Sequence, residues 1–355
     1  MRKIPLLARF YCKIGVGIKP MPFLIAALII IALLLTVQLI VFLILGIGFS
    51  RRSDNDPNLR YFTAYDFPEL TCEAISFHSG NNMLRGFIYD KRNQKADKLM
   101  LFLMGIGAGH HAYMHVIKEI AVHGYRVLAF DYTGAQLSQG RSIKGLPQPL
   151  IDLQAAFAFI ENREDLKDLP LDVIGHSWGG YVAGIAPLLN EKIRRVVSIS
   201  GFNSVPTVLS SVRPYMKVFE PFVDFANLLK FGKVGVLDIT SSIKHANIPM
   251  LFMMGAKDPF VRQAANFDKY RLVGANKPSI EFYLDADKSH NPYLTSEAEQ
   301  YFISILKEKR RYDKNPQSDE SQFFYRSIDY ELITRNDPEF FTVMFEFLDR
   351  KEVAS

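Results

Sequence analysis

An α/β fold, with a mostly parallel central sheet covered by helices on both faces, is the fold class this sequence predicts, behind a single apolar helix near the N-terminus. Three observations predict it. Short aliphatic runs bounded by Gly, Pro and Asp recur between stretches of helical periodicity, as buried parallel strands do. The chain from Met21 to Ser50 carries no charge. A serine flanked at two residues on either side by glycine, Gly175-His176-Ser177-Trp178-Gly179, sits between a strand pattern and a helix pattern.

In chain order, residues 1–20 form a basic segment, and the apolar run 21–50 is broken only by Thr36, Gln38 and Ser50. About 20 helical residues cross about 30 Å of hydrocarbon, so this run is long enough to span with some tilt. A cleaved signal would have a shorter apolar stretch ending in small residues, and neither feature is present. The net charge of +5 is local: seven basic residues and no acidic one lie within 1–52, leaving 35 basic against 37 acidic side chains beyond. The globular part is therefore near neutral, which argues against a nucleic-acid partner. Five basic residues precede the run while Arg51, Arg52 and Arg60 follow it, offset by Asp54 and Asp56. The positive-inside rule then predicts a single-pass protein with a cytoplasmic N-terminus and the globular domain outside. Cys72 is the only thiol after the run, which excludes a disulfide within the domain.

Residues 51–72 read as a polar linker and entry segment, and 73–355 as one domain. Glu73–His78 and Leu84–Tyr89 read as a hairpin across Ser79-Gly80-Asn81-Asn82. Leu99–Met104, Tyr125–Phe130, Leu171–Ile174, Arg195–Ser200, Ile248–Met254 and Ser279–Tyr283 read as the parallel strands. Leu150, Leu153, Phe157 and Ile160 mark the clearest helix among them. Residues 202–247 are too long for a structureless connection and read as a helical cap carrying Phe219, Phe222 and Phe225. In the C-terminal extension, 312–355, Tyr312–Tyr330 reads as polar and irregular, followed by a helix that starts at Asp337-Pro338.

The serine motif carries the chemistry. A serine hydroxyl is a weak nucleophile near neutral pH and needs an imidazole, itself oriented by a carboxylate. In the order Ser, acid, His, the candidates are Ser177, then Asp258 in Gly255-Ala256-Lys257-Asp258-Pro259, then His290 in Ser289-His290-Asn291-Pro292, each acid or base after a later strand. Asp285 and Asp287 are alternative acids. Two backbone N–H groups are expected to hold a developing oxyanion, those of Trp178 and Ile106, with Gly107 the alternative to Ile106. The run Met104-Gly105-Ile106-Gly107-Ala108-Gly109 lacks the Gly-Lys-Ser/Thr ending of a nucleotide loop. The adjacent His110 and His111 read as helix-start or pocket-lining residues rather than metal ligands, and Asp131 as a brace for a strand-end turn.

From Glu73 to Arg311 the chain resembles the α/β-hydrolase superfamily, and within it the bacterial serine aminopeptidase-type and monoacylglycerol-lipase-type hydrolases. The likeness rests on Met104-Gly105-Ile106-Gly107, Phe130-Asp131-Tyr132-Thr133-Gly134, Gly175–Gly179, Gly255–Asp258 and Ser289-His290. It implies Ser177 as nucleophile, Asp258 as acid and His290 as base, with no metal or organic cofactor. Met104 departs from the His that many members carry before the oxyanion glycine. The expected activity is hydrolysis of a small or lipid-like carboxylic ester through an acyl-serine. An aminopeptidase-like peptidase, with Glu220 and Asp224 binding a free amine, a thioesterase, and a catalytically silent scaffold are the alternatives.

Overall fold

The aliphatic runs become the middle of one eight-stranded sheet in the computed structural model, which describes residues 20–107 and 109–350. The basic segment before Pro20 and the last five residues of the C-terminal extension lie outside the described residues. The strands are β1 (Leu70–Ser79), β2 (Asn82–Lys91), β3 (Leu99–Leu103), β4 (Arg126–Phe130), β5 (Leu171–His176), β6 (Ile193–Ile199), β7 (Met250–Gly255) and β8 (Ile280–Asp285). Their spatial order is β1-β2-β4-β3-β5-β6-β7-β8. β2 runs antiparallel to both β1 and β4, and every other pairing is parallel. β3, β5 and β7 are buried along their whole length, the pattern of central strands covered on both faces.

The predicted hairpin turns at Gly80-Asn81, where Gly80 takes φ 56°, and its strands extend further than the alternation alone suggested. The helix Gln148–Glu161 buries Leu150, Leu153, Phe157 and Ile160. At its start, the buried carboxylate of Asp152 accepts from Ser79 Oγ (2.7 Å), the Thr133 amide (2.7 Å) and Gln148 Nε2 (2.9 Å). One side chain thus joins the hairpin, the loop after β4 and a covering helix, and its burial raises its pKa against those bonds.

Between β6 and β7 the chain forms helices at Val205–Val212, Glu220–Phe231 and Ile239–His245, with short 3₁₀ helices between them. The reading of Tyr312–Tyr330 as irregular needs correction. A helix runs from Asp319 to Ser327, capped by Ser318, whose side chain accepts from the Ser321 amide. Phe324 and Tyr325 are buried with Ile305 and Ile328 in a small second core that the polar composition obscured.

The N-terminal helix covers Pro20–Gly48, and Pro22–Gly48 is long and apolar enough to cross a membrane. The polar stretch after it is docked closely to the domain. Arg52 donates to the carbonyls of Gln136 (2.8 Å), Ser138 (3.1 Å) and Gly140 (2.7 Å), and Ser53 forms a bridge to Ala135.

Candidate active site

β5 ends at His176 and the next helix begins at Trp178, leaving Ser177 alone to make the turn, at φ 58° and ψ −112°. A non-glycine residue there costs roughly 1–3 kcal/mol, which the surroundings must supply. The Ser177 amide donates to Ile199 O on neighbouring β6 (2.8 Å). The flanking glycines are required by close approach: a Cβ on Gly175 would lie 2.1 Å from Gly179 O, and one on Gly179 would lie 2.0 Å from Leu103 O. Both obstacles are backbone atoms, so neither can swing aside.

Two loops after β7 and β8 bring the remaining candidates to this serine. His290 Nε2 lies 2.9 Å from Ser177 Oγ, and His290 Nδ1 lies 2.6 Å from Asp258 Oδ2. The other oxygen of Asp258 accepts from the amides of Phe260 (2.8 Å) and Val261 (2.9 Å), which fixes the carboxylate. With Asp258 as acceptor, Nδ1 carries the proton and Nε2 accepts from the serine hydroxyl. Neither alternative acid is engaged with the histidine: Asp285 accepts from the Asp287 and Lys288 amides, and exposed Asp287 pairs with Lys257.

The backbone around His290 is held from three sides. Buried Glu299 accepts from the amides on either side of it, Ser289 (2.8 Å) and Asn291 (2.9 Å). The His290 carbonyl accepts from Ser200 Oγ (2.9 Å) and His176 Nε2 (2.9 Å). Lys288 bonds Asp337 (2.6 Å), the residue that caps the last helix, so the C-terminal extension pins the histidine loop.

The loop after β3 packs on Ser177, since a Cβ on Gly105 would stand 3.4 Å from Ser177 Cβ. Its amides have distinct fates. Gly105 donates to Tyr113 Oη (3.1 Å) and Gly107 to Ser53 Oγ (2.9 Å), whereas the Ile106 and Trp178 amides take no protein acceptor among the described residues. Tyr113 in turn donates to His176 Nδ1 (3.0 Å). A chain of hydrogen bonds therefore runs from Gly105 through Tyr113 and His176 to the backbone of His290. Burial, with His290 nearby, lowers the His176 pKa to about 3, and burial raises that of Tyr113 to about 12, so both stay neutral across the physiological range.

The other singled-out residues have structural partners. His110 Nδ1 bonds buried Asp131 (2.9 Å), which also accepts from the Leu137 amide, so Asp131 ties the loop after β3 to the loop after β4. His111 is held near pKa 4 by burial. Among the described residues no group of three or more His, Cys, Asp or Glu is placed to hold a metal ion. Trp178 is buried, with Nε1 donating to Leu146 O (2.7 Å). Of the cap aromatics, Phe222 offers its carbonyl to Gln38 of the N-terminal helix (3.1 Å), and Phe225 is exposed. Glu220 is bonded to Ser210, and burial followed by Glu220 raises the pKa of Asp224. An apolar cavity of about 150 Å³ lies between the Tyr113 segment, Tyr293, Ile305 and Tyr330.

Sequence reading missed Tyr113, His176, Glu299 and Ser53. Their roles depend on which distant atoms they meet, and only the buried position of His176 inside the glycine motif was available as a signal.

A family model described as alpha/beta hydrolase fold matches residues 98–226. No curated protein matches the sequence. Among solved structures, an esterase of Pyrococcus furiosus superposes with a TM-score of 0.55 at 20% identity, over 74% of this chain and 98% of its own. The same esterase in a second crystal form gives a TM-score of 0.53 at 19% identity, over 72% and 96%. An acylaminoacyl peptidase of Pyrococcus horikoshii gives 0.48 at 14% identity, over 69% of this chain and 42% of its own.

Proposed function

We propose, from a chain with the α/β-hydrolase fold, that this protein is a membrane-anchored serine hydrolase of carboxylic esters, with Ser177, His290 and Asp258 as its catalytic triad. The observation that carries this reading is the pair of contacts on one imidazole, 2.9 Å to Ser177 Oγ and 2.6 Å to Asp258 Oδ2. As Ser177 Oγ attacks the ester carbonyl carbon, its proton passes to His290 Nε2, and Asp258 steadies the imidazolium. The carbonyl oxygen becomes an oxyanion held by the Ile106 and Trp178 amides, which take no protein acceptor among the described residues. Collapse expels the alcohol, which takes the proton from His290. Water then attacks the acyl-serine by the same route, His290 returns the proton to Ser177 Oγ, and the acid leaves.

The uncharged helix Pro22–Gly48 supports the membrane anchor, and the charge distribution around it supports an N-terminus on the cytoplasmic side. The ester is favoured over the peptide because both carboxylates that would bind a free amine, Glu220 and Asp224, lie partly buried in the cap helix, and Glu220 already holds Ser210.

The test is hydrolysis of p-nitrophenyl esters of increasing chain length by the full chain in detergent, with labelling by a fluorophosphonate. The Ser177→Ala variant is expected to lose both, with kcat lower by on the order of 10³-fold or more. A folded wild-type protein that neither labels nor turns over any ester overturns the proposal. Labelling without ester turnover transfers it to peptide or thioester substrates.

A further inference from the structure

The N-terminal helix is longer than a bilayer needs, and its surplus is docked on the cap. Its 29 residues rise about 43 Å at about 1.5 Å each, whereas about 30 Å of hydrocarbon takes about 20 residues. Counted from Pro20, the helix leaves the hydrocarbon near residue 40. Burial changes at the same level: residues 23–36 are all exposed, and Val37, Val41, Leu45 and Phe49, four apart and so on one face, pack into the domain core.

The surface they meet is the cap helix Glu220–Phe231. Gln38 donates to Phe222 O, and Phe42, Leu45 and Phe49 share a crevice of about 40 Å³ with Ala226, Asn227, Lys230 and Phe231. Low numbers meet low and high meet high, so the two helices run in the same direction. The turn Pro214–Phe219, which precedes the cap helix, therefore lies at the membrane end of the domain, level with Gln38 or beyond it. Its composition suits that position. Tyr215 and Val218 are exposed at 66% and 68%, Arg213 and Lys217 are exposed beside them, and no acidic residue interrupts 213–219. Phe225 and Leu229, four apart on the cap helix, are also exposed. An aromatic and aliphatic surface flanked by cations is what a lipid headgroup boundary accommodates.

We infer that the cap turn 213–219 is seated in the lipid surface beside the N-terminal helix, so that the domain is held against the bilayer and its esters are drawn from amphiphiles held there. The inference rests on the membrane-anchor part of the proposed function. The helix-to-cap contact then fixes the height and orientation of the domain on the membrane.

The test uses the full chain with Cys12 and Cys72 replaced by serine, reconstituted in vesicles of phosphatidylcholine and phosphatidylglycerol. An environment-sensitive fluorophore is attached through Val218→Cys, Leu34→Cys or Glu164→Cys, the last at an exposed site before β5. Lipids bearing a shallow doxyl quencher are expected to quench positions 218 and 34 and leave position 164 bright. Quenching at 34 without quenching at 218 overturns the cap inference while the anchor stands. No quenching at 34 overturns the anchor and the inference together. A blue-shifted but unquenched label at 218 also overturns it, because the turn would then be covered by protein, such as a second copy of the chain. Val218→Asp supplies an activity readout: it is expected to lower hydrolysis of a vesicle-borne ester several-fold and to leave a soluble short-chain ester unchanged.

Discussion

The turn that carries Ser177 and the loop that carries Ile106 lie at the carboxyl ends of neighbouring strands β5 and β3, and both are rich in glycine, yet they are held by different means. The serine turn is fixed by backbone meeting backbone, with Gly175 against Gly179 and Gly179 against the carbonyl of Leu103. The Ile106 loop is fixed by side chains from elsewhere: Tyr113 on Gly105, Ser53 on Gly107, Asn55 on Gly109 and Asp131 on His110. The first kind of constraint is written into a five-residue motif. The second is scattered over residues 53–131 and has no local pattern.

The largest effect is expected where backbone cannot yield. Gly179→Ala puts a methyl 2.0 Å from a backbone oxygen in the centre of the sheet and is expected to cost about 3 kcal/mol or more. Gly107→Ala meets nothing within 4 Å and strains only its φ of 83°, a cost of about 1 kcal/mol. Thermal unfolding of the two variants measures the contrast. Equal losses would mean that the two loops are constrained alike.

Next comes Tyr113→Phe, which strips the Gly105 amide of its acceptor and His176 Nδ1 of its donor in a buried site. Each orphaned group costs roughly 1–3 kcal/mol. Tyr113 holds the loop through the Gly105 amide, so kcat is expected to fall by roughly tenfold, less than the 10²-fold or more that loss of an oxyanion donor costs. KM for a short ester should stay unchanged. A fall in stability with kcat intact would show that the tyrosine serves the fold alone.

His176 turns the same chain of bonds into a pH dependence. Its folded pKa, lowered to about 3 by burial, stands below the ordinary value of 6.5, so the unfolded chain binds the extra proton between those values. Stability from this group is complete above about pH 6.5 and is lost as pH falls toward 3, by at most about 1.4 kcal/mol per pH unit. His111, lowered to about 4, acts in the same direction. Urea unfolding at pH 7 and pH 5 is expected to show a smaller pH effect in His176→Gln than in the wild type, with the His111 contribution remaining.

The contrast between the two loops also explains what could be read without coordinates. Central strands and the serine turn are legible because burial on both faces leaves continuous aliphatic runs and because only glycine tolerates the backbone approaches around Ser177. Asp258 and His290 were placed by their positions after strands, while the choice of Asp258 over Asp285 and Asp287 needed the contacts themselves. The helix Asp319–Ser327 was missed because most of its polar residues face solvent and its buried aromatics, Phe324 and Tyr325, meet Ile305 from another helix. Nothing local announces that Glu299 will bracket His290, or that the residues after the N-terminal helix will reach the Ile106 loop.

That last contact gives the smallest expected effect and the sharpest question. Ser53→Ala removes the acceptor of the exposed Gly107 amide, where water can take its place, so the loss should stay near 0.5 kcal/mol and the rate should fall by no more than about threefold. Asn55→Ala, which frees the Gly109 amide, should behave alike, and the two together should exceed their sum if they clamp one loop. Steady-state rates of the two single variants and the double variant decide it. A loss from Ser53→Ala larger than that from Tyr113→Phe would reverse the ranking. The loop beside Ser177 would then be held chiefly from the segment that leaves the N-terminal helix, and the rate of hydrolysis would depend on how that helix is seated.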